Sequence, residues 1–281
     1  MPKAWNISNM IVGNRYELRP EQGLKKGRYS KLYKAKDKKT GLWVTVKFID
    51  ENLSGLHSET FKGKWNLIKH PNLLRCLSCL NEVIDLGDGN REYLVIVNEY
   101  LAGAPISHHY AKFENEAFFK EIVSEILAGF DFLHGLNLVH RDIKCSNIFL
   151  CNEGRGLCAK LTDMDMVGEQ GQKPTHFIGT PEYSAPEVFL MKPLNEGSDF
   201  WSLGCVLYEL FTKGLLPFGS RLDVGGLDML KERILGGTYN KGTLSSRQIA
   251  LTDLLLGKDV AIRITDSKKI IAQFEYLFIT R

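Results

Sequence analysis

His140-Arg141-Asp142-Ile143-Lys144-Cys145-Ser146-Asn147-Ile148-Phe149-Leu150 is a short polar stretch running directly into an apolar, strand-like triplet. The segment that feeds it, residues 117–135, carries Phe118, Ile122, Ile126, Phe130 and Leu133 at helical spacing. An Asp, a Lys and an Asn within six positions, set between two hydrophobic elements, are costly to bury unless they serve a charged ligand. The stretch therefore reads as a functional site mounted on an apolar scaffold.

The chain has 281 residues, enough for one large domain or two lobes sharing a cleft. Its net charge of +3 argues against a dedicated nucleic-acid or membrane-surface binder. No apolar run approaches the roughly 18 to 20 residues needed to span a bilayer, and the first residues lack the pattern of a secretory signal. Six cysteines are scattered rather than framed by repeats, which suits a reducing compartment. An intracellular setting, cytoplasmic or nuclear, is expected. Cys76 and Cys79 form a C-x-x-C inside an apolar run with no second pair, and core cysteines are the preferred reading over zinc or redox chemistry.

Upstream, residues 16–49 alternate and are punctuated by glycine, the pattern of antiparallel strands. Lys39-Thr40-Gly41 is a good hairpin connection. Lys47 interrupts an apolar strand; either it meets an anion or it snorkels from a sheet edge. Between Ser58 and Lys69, Phe61, Trp65 and Ile68 fall at i, i+4 and i+7, which predicts a helix with one buried face, weakened by Gly63. Downstream, Ile148-Phe149-Leu150 and Ala159-Lys160-Leu161-Thr162 predict a small hairpin, and Trp201 to Leu210 an apolar helix.

His140-Arg141-Asp142 with Asn147 five residues on resembles the catalytic loop of eukaryotic-type protein kinases. Further parts follow in that family's order: Lys47, His70-Pro71-Asn72, Glu99, Asp163, the segment Gly179-Thr180-Pro181-Glu182-Tyr183-Ser184-Ala185-Pro186-Glu187, Asp199 and Arg263. The resemblance covers about Tyr16 to Ile271. It implies an α+β, bilobal fold: a lead over residues 1–15, a small antiparallel sheet lobe with one main helix over 16–98, a hinge at 99–103 and a larger, mainly helical lobe over 104–281. The nucleotide is expected between the lobes.

The resemblance also implies roles. ATP and magnesium are the cofactors. Lys47 would hold the α- and β-phosphates; Asn147 and Asp163 would bind magnesium. Asp142 would orient the substrate hydroxyl and accept its proton, and Lys144 would stabilise the moving phosphoryl group. Gly27, Ser30 and Leu32 would cover the nucleotide, Glu99 and Leu101 would present hinge backbone to adenine, and Phe149 would floor its pocket. Lys144 and Thr180 resemble the serine/threonine type, so the partner is a protein substrate with a Ser or Thr acceptor, together with a regulatory protein. Arg141 points to control by an activation-loop phosphate, with Thr175 the leading acceptor. Glu187 and Arg263 would form a structural ion pair, and Asp199 would hold the catalytic-loop backbone.

Three departures stand out. Lys25, Gly27 and Ser30 occupy the three glycine positions of the phosphate-covering loop; Phe61 falls where a glutamate normally pairs with the strand lysine; Asp163-Met164-Asp165 replaces Asp-Phe-Gly. Glu59, Asp163 and Asp165 all stay open as the counter-ion of Lys47, and Asp165 could point inward or to solvent. Asn98 would sit behind adenine, where a polar side chain needs a partner. Two readings follow: an active serine/threonine kinase, or a pseudokinase acting as scaffold or allosteric binder.

Overall fold

The computed structural model describes residues 10–26, 30–50, 58–86, 89–152, 154 and 156–279. The chain divides into two compact units: one reaches to Lys69 and includes Leu74–Leu101, the other takes His70–Leu73 and everything from Ala102.

The first unit is built on an antiparallel sheet. Its strands are β1 (Ile11–Val12), β2 (Tyr16–Lys26), β3 (Ser30–Asp37), β4 (Trp43–Asp50), β5 (Cys76–Asp85) and β6 (Asn90–Glu99). They lie in the order β1-β2-β3-β4-β6-β5. Alternation places Val44, Val46 and Phe48 of β4 on one face with Val95 and Val97 of β6, against Leu18 and Ala35. Tyr33 and Tyr93 both meet Phe48 edge to face, with centroids 5.8 and 6.0 Å away. Each such side chain contributes about 1.5 to 3 kcal/mol by leaving water.

The β3–β4 turn has a side-chain clamp as well as its glycine. Gly41 takes φ 71°, as expected for this connection. Asp37 accepts from the Lys39 amide (2.9 Å), the Thr40 hydroxyl (2.8 Å) and both arms of Arg15 (2.7 and 2.6 Å). The Arg15 hydrogen bond, outweighing burial, holds the Asp37 carboxyl well below the usual carboxylate range.

The helix expected over Ser58–Lys69 is shorter: α1 spans Ser58–Lys64. Phe61 and Ile68 are buried, so the apolar face is used, but Trp65 to Leu67 form a turn. Gly63 weakens the helix by about 1 kcal/mol relative to alanine, and none of Lys62, Gly63 and Lys64 is buried, so little packing carries the helix further.

The second unit is mainly helical. It contains α2 (Glu116–Gly135), α3 (Pro186–Phe189), α4 (Gly197–Thr212), α5 (Leu227–Gly236), α6 (Ser246–Leu255) and α7 (Ser267–Ile279). Short strands accompany them: β7 (Gly103–Pro105), β8 (Leu138–Val139), β9 (Ile148–Asn152), β10 (Leu157–Leu161) and β11 (Gly168–Glu169). Asn115 caps α2 by accepting from the Phe118 amide at 2.9 Å. From Gly197 to Leu210 every residue of α4 is buried, so it is a central helix enclosed on all sides, mostly apolar but carrying the buried carboxylates Asp199 and Glu209. A Cβ on Gly204 would stand 2.8 Å from Leu256, which is why α4 can pack so close to the end of α6. Among the described residues no helix is long and apolar enough to cross a membrane. The architecture is α+β, an antiparallel sheet unit and a mainly helical one, as the sequence implied.

Candidate active site

The polar stretch from His140 has little regular structure of its own, and its shape is imposed by a helix far along the chain. Asp199, in the first turn of α4 and 1 % exposed, accepts from the amides of His140 (2.8 Å) and Arg141 (3.0 Å) and from the His134 ring (3.0 Å). Burial pushes the Asp199 carboxyl upward, yet the His134 hydrogen bond and the surrounding charge leave it below its ordinary value. A charged acceptor is thus kept inside the core because three donors converge on it.

His140 is fully buried and laces two segments together. Its Nε2 meets the Thr162 carbonyl at 2.9 Å and its Nδ1 accepts from the Asp142 amide at 3.3 Å, which selects the Nε2–H tautomer. Thr162 in turn donates its amide (2.8 Å) and hydroxyl (3.1 Å) to the Asn147 carbonyl. The hairpin of β9 and β10 therefore leaves Asn147 and Asp163 tied to the loop at both ends.

Three predicted residues meet in one network. Lys144 Nζ donates to Asp142 Oδ2 at 2.8 Å, and Asn147 Nδ2 donates to the same oxygen at 2.8 Å and to the Asp142 carbonyl at 3.0 Å. Thr180, noted in the sequence only as a marker of type, completes it. Its hydroxyl donates to Asp142 Oδ1 and accepts from Lys144 Nζ, both at 2.7 Å. Gly179 makes the approach feasible: it takes φ 110°, and a Cβ there would lie 2.5 Å from the Arg141 carbonyl oxygen. Both Asp142 oxygens are consequently fixed by donors, and its charge is balanced by Lys144.

The donor set suits a hard cation. With Nδ2 committed to Asp142, Asn147 keeps an Oδ1 that no described residue hydrogen-bonds. Asp163 follows β10 with φ 58° and ψ 43°, and Arg141 has φ 73°. Such left-handed backbone at non-glycine residues costs about 1 to 3 kcal/mol each and gathers where function requires it. Amide and carboxylate oxygens are the ligands magnesium prefers.

Arg141 is partly buried, and its desolvation pulls the guanidinium down to about 10. It donates from Nε to the Met166 carbonyl and from Nη2 to that of Val167 at 3.1 Å, fastening the segment after Asp163. A cavity beside it is lined by His176, Lys192 and Ser184, while Thr175 is exposed with its hydroxyl 3.0 Å from His176 Nδ1. Farther along, Tyr110 and Tyr183 converge on buried Glu209, at 2.7 and 2.5 Å. Burial, followed by the carboxylate, raises both phenols far above their ordinary value. The sequence offered no sign of this lock. Glu187 and Arg263 do pair, bidentately, at 2.6 and 3.0 Å.

The remaining predicted residues belong to other elements. In the first unit, Leu32 and Lys47 are directly opposed across β3 and β4, and Lys47 is also opposed to Ile96 of β6. Lys47 thus stands on an interior strand, and it is buried. Ser30 opens β3, Glu99 closes β6 with its carbonyl accepting from the Thr45 hydroxyl at 3.4 Å, and Leu101 follows. Lys25 pairs with Leu32 in β2, and Glu59 falls in α1. Gly27 lies outside the described residues. In the second unit, Phe149 is on β9, directly opposed to Lys160, and Asp165 is buried in a single 3-10 turn, Met164–Met166.

Residues 18–275 match the family model described as Protein kinase domain. The chain belongs to the protein kinase domain family. Among its relatives, it is 29% identical over 252 residues to "Protein kinase 3" of Dictyostelium discoideum, 83% of this chain and 26% of that protein. It is 31% identical over 210 residues to "Serine/threonine-protein kinase sgk-1" of Caenorhabditis elegans (70% and 42%), and 33% over 215 residues to "Serine/threonine-protein kinase 1" of Arabidopsis thaliana (73% and 24%). The chain spans between about a quarter and under half the length of these three relatives.

Proposed function

We propose that this chain is an ATP- and magnesium-dependent serine/threonine protein kinase domain, transferring the γ-phosphoryl group to a hydroxyl of a protein substrate. The observation that carries the reading is the closed Asp142–Lys144–Asn147–Thr180 network. A carboxylate pinned at both oxygens is oriented before substrate arrives, and a substrate hydroxyl at its edge can pass it a proton. Lys144, 2.8 Å from Asp142, would neutralise charge on the transferred group. Asn147 and Asp163 would hold magnesium, which would shield phosphate charge when bound; Lys47 would hold the α- and β-phosphates, with Gly27, Ser30 and Leu32 over them. Glu99, Leu101 and Phe149 would frame adenine. Arg141, with His176 and Lys192 beside it, would receive a phosphate on Thr175. The setting is cytoplasmic or nuclear, with no nucleic-acid partner.

A second reading, nucleotide binding without transfer, is favoured by one observation. Phe61 is 3 % exposed, and by the count back from Pro71 it falls where the family's glutamate would pair with the strand lysine. One experiment separates the two. The purified chain is incubated with radiolabelled ATP, magnesium and a generic basic protein, beside Asp142→Asn and Asp163→Asn variants. Transfer that disappears in both variants is expected; ATP-dependent thermal stabilisation without Asp142-dependent transfer would establish the second reading instead.

A further inference from the structure

Cys151 and Cys158 are direct partners across β9 and β10. Directly opposed residues of an antiparallel pair project to the same face, so the two side chains are neighbours by construction. The neighbouring residue shows which kind of pair they form. Ala159 donates its amide to Glu125 Oε2 at 2.6 Å and its carbonyl accepts from Asn72 Nδ2 at 2.9 Å, so its main-chain groups face away from β9. Main-chain direction alternates along a strand, so Cys158 faces β9 and makes a hydrogen-bonded pair with Cys151. Such pairs hold their Cα atoms about 5.5 Å apart, inside the roughly 4.4 to 6.8 Å that a disulfide bridges. The Cys158 thiol already leans across, donating to the Cys151 carbonyl at 3.4 Å.

From this register we infer that Cys151 and Cys158 are a two-electron oxidation site, closing to a reversible cross-strand disulfide with a peroxide as oxidant. Cys158 is partly exposed and Cys151 buried, which sets the order of events. The Cys158 sulfur attacks the peroxide O–O bond and becomes a sulfenic acid, with one water leaving. The Cys151 sulfur then displaces the hydroxyl from that sulfur, and its proton leaves with the hydroxyl as a second water. Two thiols and one hydrogen peroxide thus yield one disulfide and two waters, the thiols losing two electrons and the peroxide gaining them. The Cβ atoms of a hydrogen-bonded pair stand farther apart than the about 3.5 to 4.5 Å a disulfide favours. A strained bond is readily reduced, the property of a switch rather than of a permanent staple. The site lies on the hairpin whose two ends lead to Asn147 and Asp163.

The test uses the full chain and reads covalent state, so it does not depend on kinase activity. Protein is titrated with hydrogen peroxide, alkylated, digested and mapped by mass spectrometry. A linked peptide carrying Cys151 and Cys158 is expected, lost on treatment with dithiothreitol. Cys151→Ser should instead accumulate Cys158 sulfenic acid, trapped by dimedone; Cys158→Ser should give no adduct at Cys151; Cys79→Ser should leave the linkage unchanged. Linkage through other cysteines, direct passage of Cys158 to sulfinic acid in the unaltered chain, or a linkage that dithiothreitol leaves intact would each overturn the assignment.

Discussion

Replacing Arg263 by alanine should cost the second unit about 3 to 5 kcal/mol, the range for removing one partner of a buried ion pair. The Arg263 side chain is fully buried and has four acceptors: the two Glu187 oxygens, the Gly197 carbonyl at 2.7 Å and the Gly257 carbonyl at 2.8 Å. Its guanidinium carbon also lies 5.1 Å from the centre of the Trp201 ring. Truncation strands a carboxylate with no route to water, and that loss dominates. Set against a total stability of about 5 to 15 kcal/mol for a domain, it leaves little margin. The assay is urea unfolding, followed by tryptophan fluorescence because Trp201 reports locally. The double variant Glu187→Gln/Arg263→Met supplies the control: with no charge left to strand, it should regain more than 1 kcal/mol over Arg263→Ala. A cost below about 1 kcal/mol for Arg263→Ala, or a double variant no better than the single one, would refute the account of the pair as a mutually dependent buried unit.

Other outcomes follow from the same geometry. Thr180→Val removes hydrogen bonds to Asp142 and Lys144, each worth about 1 to 1.5 kcal/mol, and should lower kcat about 30- to 150-fold, whereas Thr180→Ser should keep most of it; steady-state kinetics on a peptide decides. Asp199→Ala should cost about 3 kcal/mol or more by orphaning the His140 and Arg141 amides, read by thermal unfolding. Because the Asp199 carboxyl titrates below its ordinary value in the folded chain, its stabilisation is full above the unfolded value and lost as pH falls through the folded one. Urea titrations from neutral pH downward should therefore show a shallower acid loss in Asp199→Asn; equal slopes would contradict this. The depressed Asp37 carboxyl has the same sign, so the β3–β4 hairpin should be weakened by acid. Hydrogen exchange at the Lys39 and Gly41 amides should quicken below the usual carboxylate range, and be already fast at neutral pH in Asp37→Ala.

What could be read in advance depended on whether a residue's role is local. The alternation of Val44, Val46 and Phe48 and the helical spacing from Phe118 to Leu133 are local periodicities, and both elements formed where expected. Asp142, Lys144 and Asn147 lie within six positions, so their convergence was legible too. The end of α1 was not: the apolar spacing of Phe61, Trp65 and Ile68 continued past Lys64, but local propensity failed first. Thr180 is 38 residues from Asp142, and Tyr110 is 99 from Glu209, so no spacing rule connects them. The opposition of Cys151 and Cys158 likewise depends on strand register, which turn length sets and composition does not reveal.

The hold of Asp199 on the His140 and Arg141 amides spans 59 and 58 positions. A loop shaped by so distant a carboxylate cannot acquire its form while the chain is being laid down, nor in a collapsed state where α4 is helical but not yet docked. During biosynthesis the residues from His140 to Asn147 emerge well before the helix that shapes them. A nascent or partly unfolded chain should therefore be chemically silent even with that loop complete, and the proposed phosphoryl transfer should be a late product of folding that reports the docking of one central helix.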